Sequence, residues 1–181
     1  MRTICVVTAT RAEYGLLRPV VQKLAVSSTL QLQLVATGAH LCPRLGETVR
    51  EIEADGVPIA TRLPIFVGDE NEPVAVTIAR TITVFDAYFS AHRPDAVLLL
   101  GDRFEIFAAA TAAAARHIPI AHISGGDVTL GAADEYYRHC ITKMAAVHFP
   151  SCADSAARLI RMGEAPETVF CVGGLGDENI R

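Results

Sequence analysis

The chain has 181 residues, 51% of them hydrophobic and 20% charged, with no tryptophan. Its 16 Lys and Arg against 20 Asp and Glu leave a formal net charge of −4. These values exclude a disordered chain, a coiled coil and a disulfide scaffold. They also give no global pull toward nucleic acid, although a local basic pocket stays open. A compact fold of this length buries roughly 70% of the surface its unfolded chain exposes, so it needs no staple.

Short runs rich in Val, Ile and Leu alternate with segments of helical period. In chain order the spacing predicts a strand over Thr3–Thr8, a helix over Leu16–Val26 and a strand over Leu30–Thr37. A helix over Arg44–Asp55 follows, and Asp69-Glu70-Asn71-Glu72-Pro73 reads as a solvated loop with Pro73 near the first turn of the next helix. That helix, Val74–Ala91, carries Val74, Ile78, Ile82, Phe85 and Phe89 as one apolar stripe. Next come a strand over Asp95–Leu100, an alanine-rich helix over Phe104–Arg116 and a strand over Ile118–Ile123. Helices at Glu135–Met144 and Ala153–Met162 flank a strand at Ala146–Phe149, and a last strand is expected at Val169–Val172. Several strands are apolar on both faces, as buried parallel strands are. The fold class is α/β: a doubly wound parallel sheet with helices on both faces.

The five cysteines, Cys5, Cys42, Cys140, Cys152 and Cys171, are odd in number and form no C-x-x-C, which reads as reduced thiols in a cytoplasmic protein. Met1–Val7 is too short for a signal peptide, and no uninterrupted apolar stretch reaches ~18 residues, so no membrane span is expected. The ending Val172-Gly173-Gly174-Leu175-Gly176 reads as a strand running onward, so residues 1–172 form one lobe and 173–181 begin a connection to a second.

Ligands of doubly wound sheets bind beyond the carboxyl ends of the strands. Three such ends carry acid together with Arg or His. After the first strand comes Thr10-Arg11-Ala12-Glu13-Tyr14-Gly15, which is neither G-x-G-x-x-G nor a Walker loop, so no NAD or ATP is implied and no cofactor is expected. Arg11 and helix amides there suit a phosphate, while a capped helix with Arg11 and Glu13 as solvated charges is the plainer alternative. Gly101-Asp102-Arg103 ends the Asp95–Leu100 run, where Asp102 is either a functional acid or a helix cap. After the Ile118–Ile123 run come Ser124-Gly125-Gly126-Asp127 and then Asp134-Glu135-Tyr136-Tyr137-Arg138-His139, in which 134 and 138, and 135 and 139, share helix faces. Convergent charges at one sheet edge point to an anionic, hydroxyl-rich ligand. The six histidines show no H-x-H or H-E-x-x-H spacing, so no metal is expected. There is no G-x-S-x-G elbow either, and Cys5, inside a strand, is a poor nucleophile.

Taken together, Thr10–Gly15, Gly38-Ala39-His40-Leu41, Gly101-Asp102-Arg103-Phe104-Glu105, His122-Ile123-Ser124-Gly125-Gly126-Asp127 and Arg138-His139-x-Ile141-Thr142-Lys143 resemble the hydrolysing UDP-N-acetylglucosamine 2-epimerases of sialic and legionaminic acid synthesis, over essentially the whole chain. The resemblance implies the first lobe of a two-lobe, Rossmann-like, glycosyltransferase-B-type fold. It implies loss of the C2 proton and of UDP to give a glycal, followed by addition of water with inversion at C2. Acids for this would be Asp102, Asp127, Asp134 and Glu135, and the UDP-sugar would meet Arg11, Arg103, Arg138 and His139. Many relatives carry glutamate where Ser124 stands. Asp127 or Asp102 would then take over proton transfer, or the substrate would differ, for example a UDP-2,4-diacetamido-trideoxyhexose. Where Gly15 stands some relatives have serine, so one hydrogen bond near the nucleotide would be lost. The isolated lobe would be inactive for want of its cleft's other wall, and the complete protein would be a cytoplasmic homo-oligomer. A glycosyltransferase lobe and a non-catalytic UDP-sugar-binding module are the alternatives.

Overall fold

The structure, a computed structural model, describes residues 1–67 and 72–176. Six strands form one sheet: β1 (Arg2–Thr8), β2 (Leu30–Thr37), β3 (Ile59–Leu63), β4 (Ala96–Leu100), β5 (Ile120–Ile123) and β6 (Val147–Phe149). Their order is β3-β2-β1-β4-β5-β6, and every pairing is parallel. This is the doubly wound order in which the direction of strand addition reverses between β1 and β4. All six carboxyl ends therefore lie along one edge, with the crevice beside Thr8 and Leu100.

Strand alternation divides the core into two layers. Cys5, Val7, Val97, Leu99 and Ile120 face α3 (Val74–Ala91), α4 (Phe104–Ala115) and α5 (Asp134–Met144). Val6, Leu34, Ala36, Leu98 and Ile123 face α1 (Arg11–Ala25) and α2 (Val49–Ala54). Ala109, Ala110, Ala112 and Ala113 of α4 are fully buried, so their small side chains let that helix lie close to its neighbours. A sixth helix, α6 (Ala153–Arg161), follows β6.

Helix α3 has the expected bounds, but its inward face is Thr77, Thr81, Phe85, Tyr88 and Phe89, while Val74 is half exposed. The buried Thr81 hydroxyl donates to the Thr77 carbonyl at 2.7 Å, which lets a polar residue sit in the core. By length and composition α3 alone among the described helices is apolar enough to cross a bilayer. It nevertheless buries Phe85 and Phe89 in the core and carries Asp86, paired with Arg116 at 2.6 Å. Of the loop expected before α3, residues 69–71 lie outside the described residues; Glu72 pairs with Arg80 at 2.5 Å, and Pro73 is the N-cap.

Several expectations need correction. Helix α1 begins at Arg11, not Leu16, because Thr10 and Glu13 form a capping box. The helix expected over Arg44–Asp55 is a 3-10 turn at Pro43–Leu45 and then the short α2, since Gly46 takes φ +93° and breaks the run. Strand β3 was not anticipated; it is a half-exposed edge strand containing Thr61 and Arg62. Val169–Val172 is not a strand. Val169 makes an isolated bridge to His148, and Phe170 donates to the His148 carbonyl at 2.9 Å, because β6 is too short to template a ladder.

Candidate functional site

The loop after β4 and the start of α5 meet through one guanidinium. Arg138 is buried, its side chain 4% exposed, and its four hydrogen bonds tie that region together. Nη2 donates to the Asp102 carboxylate and to Thr129 Oγ1 at 2.7 Å. Nη1 donates to Glu135 and to the Asp127 carbonyl, both at 2.9 Å. Burial lowers the Arg138 pKa from its ordinary value, yet an arginine stays charged in proteins. Glu135 also accepts from the Thr129 amide at 2.7 Å and pairs through Oε1 with His139 Nε2 at 3.1 Å. Asp102, Arg138, Glu135 and His139 thus form one continuous network beyond β4 and β5.

Arg103 lies on the next residue of the same loop and is the N-cap of α4. Its Nη2 donates to Glu105 at 2.9 Å, and its Nε lies 4.0 Å from Glu13 of α1. Burial opposes its charge, but Glu105, Glu13 and Asp134 outweigh burial and raise its pKa. The negative charge of Asp134, at the start of α5, is the weakest of these influences. The Arg103 side chain is 42% exposed, so the guanidinium remains open to a ligand.

Two of the expected site residues are fastened to other elements. Arg11 pairs with Glu51 of α2 at 2.9 Å, and its side chain is 74% exposed. The Asp127 carboxylate accepts from Ser151 at 2.8 Å and Ser155 at 2.6 Å, which fastens it to the entrance of α6. Only its main-chain carbonyl meets Arg138. Ser124 is half-buried beside β5 with φ +62°, a left-handed conformation that serine rarely adopts.

The glycines around Ser124 have steric reasons. A Cβ on Gly126, at φ +81°, would lie 2.4 Å from the Ser155 carbonyl oxygen, and one on Gly125 would lie 2.9 Å from His122 Nδ1. His122 is buried in β5 and its Nε2 donates to the Gly101 carbonyl at 2.8 Å, with burial pushing its pKa down to about 4. On the other side of the switch point His40, also buried, bridges Thr8 Oγ1 at 3.0 Å and Thr48 Oγ1 at 2.8 Å; burial lowers its pKa to about 4. Both imidazoles are neutral at pH 7 and hold the edge loops in place.

The plainer alternative made Glu13 a solvated charge at the start of a capped helix; the helix is capped, but the structure buries Glu13. The Thr10-x-x-Glu13 spacing of a capping box was the available signal, since the carboxylate turns inward to reach the Ala9 amide at 2.8 Å and the Thr10 amide at 3.1 Å. Glu105, fully buried beside Arg103, had only its place in the first turn of an otherwise apolar helix to mark it. Among the described residues no cluster of three or more His, Cys, Asp or Glu could hold a metal ion.

A family model described as UDP-N-acetylglucosamine 2-epimerase matches residues 22–181. The chain belongs to the UDP-N-acetylglucosamine 2-epimerase family. It is 42% identical over 181 residues to the UDP-N,N'-diacetylbacillosamine 2-epimerase (hydrolyzing) of Legionella pneumophila, covering 99% of this chain and 48% of that one. It is 38% identical to the GDP/UDP-N,N'-diacetylbacillosamine 2-epimerase (hydrolyzing) of Campylobacter jejuni, covering 99% of this chain and 47% of the relative. The chain therefore spans about half the length of the relatives it matches. Among solved structures, UDP-GlcNAc 2-epimerase from Neisseria meningitidis bound to UDP-GlcNAc superposes with a TM-score of 0.84 at 22% identity, over 95% of this chain and 46% of that one. This likeness shows the epimerase-family fold, a Rossmann-like lobe of the glycosyltransferase-B type. The motifs at Asp102–Arg103 and Arg138–His139, read as family signatures, here lie on the loop after β4 and in helix α5, joined by the Arg138–Asp102 ion pair.

Proposed function

We propose that this chain is the first lobe of a hydrolysing UDP-sugar 2-epimerase. The observation that carries the reading is the Asp102–Arg138–Glu135–His139 network beside Arg103, at the sheet edge where nucleotide-type ligands bind. Carboxylates next to an accessible cation meet both needs of the reaction, which are proton transfer at C2 and neutralisation of a departing diphosphate.

In the first step a carboxylate takes the C2 proton, the C1–O bond to UDP breaks and a C1=C2 bond forms. Water then adds its oxygen to C1, and a proton returns to C2 from the opposite face. Asp102, Asp134 and Glu135 are the acids and bases of this scheme, with His139 relaying charge at Glu135. Arg103 meets the diphosphate, and Arg11 supplies a second, more mobile cation. Arg138 has its donors committed to Asp102, Glu135, Thr129 and Asp127, so we assign it to positioning those acids instead of touching the sugar. Asp127, engaged by two serines, fits an anchoring role better than proton transfer.

The relatives named for N,N'-diacetylbacillosamine support a UDP-2,4-diacetamido-trideoxyhexose as substrate ahead of UDP-N-acetylglucosamine. Serine at position 124, at the C-terminal end of β5, is smaller than the glutamate many relatives carry there, which supports a larger amide-bearing sugar. Residues 173–181 begin the connection to a second lobe that forms the other wall of the cleft; of these, 177–181 lie outside the described residues. Free thiols and the exposed Val74 and Val76 of α3 fit a cytoplasmic protein that associates with copies of itself.

The test is product analysis by proton NMR in deuterium oxide, using the complete protein and each of the two UDP-sugars. Free 2-epimerised sugar bearing deuterium at C2 is the expected product. A glycoside formed only with an acceptor would make it a transferase, and UDP-sugar binding without turnover would make it a binding module.

A further inference from the structure

At the switch point between β1 and β4 two buried carboxylates flank one guanidinium. Glu13, from the first turn of α1, is 7% exposed, and Glu105, from the first turn of α4, is fully buried. Arg103 lies between them, bonded to Glu105 Oε1 at 2.9 Å and 4.0 Å from Glu13 Oε1. Three atoms in this cluster are buried without a hydrogen-bond partner: Glu13 Oε1, Arg103 Nε and Glu105 Oε2. Two carboxylates and one guanidinium carry one excess negative charge, and both carboxylates are buried. Such a site favours a proton.

We propose that Glu13 and Glu105 are positioning residues that act through Arg103, and that the pair takes up one proton when an anionic diphosphate engages that guanidinium. This rests on the reading that Arg103 meets the diphosphate. An anion drawing on Arg103 weakens its hold on Glu13, and protonating Glu13 removes the resulting repulsion. Burial, with the Glu105 charge adding to it against the opposing amide bonds and Arg103, already pushes the Glu13 pKa up to about 7. Arg103 and Glu105 face Glu13 from the start of α4, the Ala9 and Thr10 amides face it from the entry to α1, and Asp134 at the start of α5 acts on Arg103. The proton comes from solvent, and the net charge of the cluster moves from minus one to zero as the ligand's negative charge arrives.

The experiment follows glutamate carboxyl carbons by NMR across pH 5 to 9, with and without saturating UDP-N-acetylglucosamine, assigning Glu13 by its loss in Glu13→Gln. That ligand's diphosphate diester has no group of its own titrating near neutrality. The expected result is a Glu13 midpoint near neutrality that rises by a unit or more on binding, with affinity about five- to tenfold higher at pH 6 than at pH 8. Glu13→Gln, which keeps an acceptor for the two amides, binds with no such pH dependence, and Glu105→Gln lowers the Glu13 midpoint. A midpoint unmoved by ligand, or pH-dependent binding that persists in Glu13→Gln, overturns the inference. Arg103→Gln separates the two ideas. If affinity survives that change, the diphosphate reading fails and takes the inference with it. If affinity is lost but the wild-type Glu13 midpoint does not move, the proton-uptake inference fails by itself.

Discussion

The guanidinium of Arg138 joins Asp102, on the loop after β4, to Glu135, one turn back on its own helix. The two carboxylates come from segments more than thirty residues apart in sequence, and one buried cation sets the spacing between them. Their geometry therefore depends on a planar group that offers several donors in fixed directions.

Arg138→Lys is the informative change here. A lysine keeps the charge but cannot donate to Asp102, Glu135, Thr129 and Asp127 at once. We expect kcat of the complete enzyme to fall roughly a hundredfold with KM little changed, as for misplaced catalytic groups. Arg138→Ala should in addition cost about 3–5 kcal/mol of stability, because it leaves two carboxylates without their buried partner. Urea denaturation and steady-state kinetics measure both. Wild-type turnover in Arg138→Lys would show that the network does not orient the acids.

Much of this arrangement was legible in the sequence, for identifiable reasons. Strands apolar on both faces mark a covered parallel sheet, and α3 kept its expected bounds because Pro73 caps one end. Edge strand β3 escaped because its Thr61 and Arg62 break the apolar run. Burial of Glu13 and the four-way bonding of Arg138 were not legible. A charged residue reads as solvated until tertiary neighbours enclose it, and those neighbours lie far away along the chain. The same holds for Asp127, whose partners Ser151 and Ser155 follow it by 24 and 28 residues.

Asp127 gives a second prediction. Its Oδ1 accepts from both serines, and an asparagine oxygen can accept from the same two hydroxyls. Asp127→Asn should therefore cost about 1–2 kcal/mol, the scale of weakening hydrogen bonds to a charged group, and leave turnover of the complete enzyme within a few fold. Thermal melts and product assays check this. A loss of several orders of magnitude in kcat with an unchanged melting temperature would return Asp127 to the proton-transfer step.

Two glycines with nearly the same backbone conformation should respond very differently to alanine. A Cβ on Gly101 (φ +79°) would meet nothing within 4 Å, whereas one on Gly126 (φ +81°) would lie 2.4 Å from the Ser155 carbonyl oxygen. Gly101→Ala should cost about 1–2 kcal/mol, the left-handed penalty by itself. Gly126→Ala carries that penalty plus displacement of α6, so its denaturation midpoint should fall well below that of Gly101→Ala. Equal midpoints would mean that α6 yields freely.

Acid stability should report on His122. Burial lowers its pKa to about 4 from the usual 6.5, so the unfolded chain binds a proton at pH 5 that the folded chain does not. For a group shifted downward, the stabilising contribution is complete above pH 6.5 and is lost as pH falls toward 4. Full loss amounts to about 3 kcal/mol on a shift of this size. Glu13 acts with the opposite sign. Its raised pKa favours the folded state at low pH, and that contribution fades as pH rises toward about 7. The two partly cancel between pH 4.5 and 6.5, so wild-type stability should vary gently there. His122→Asn removes one side of the balance: the variant is less stable at pH 7 because the 2.8 Å bond to the Gly101 carbonyl is disturbed, yet its stability should rise more steeply on moderate acidification than that of the wild type. Urea midpoints measured from pH 4 to 8 decide it, and parallel profiles for the two proteins would show that His122 does not carry the acid dependence.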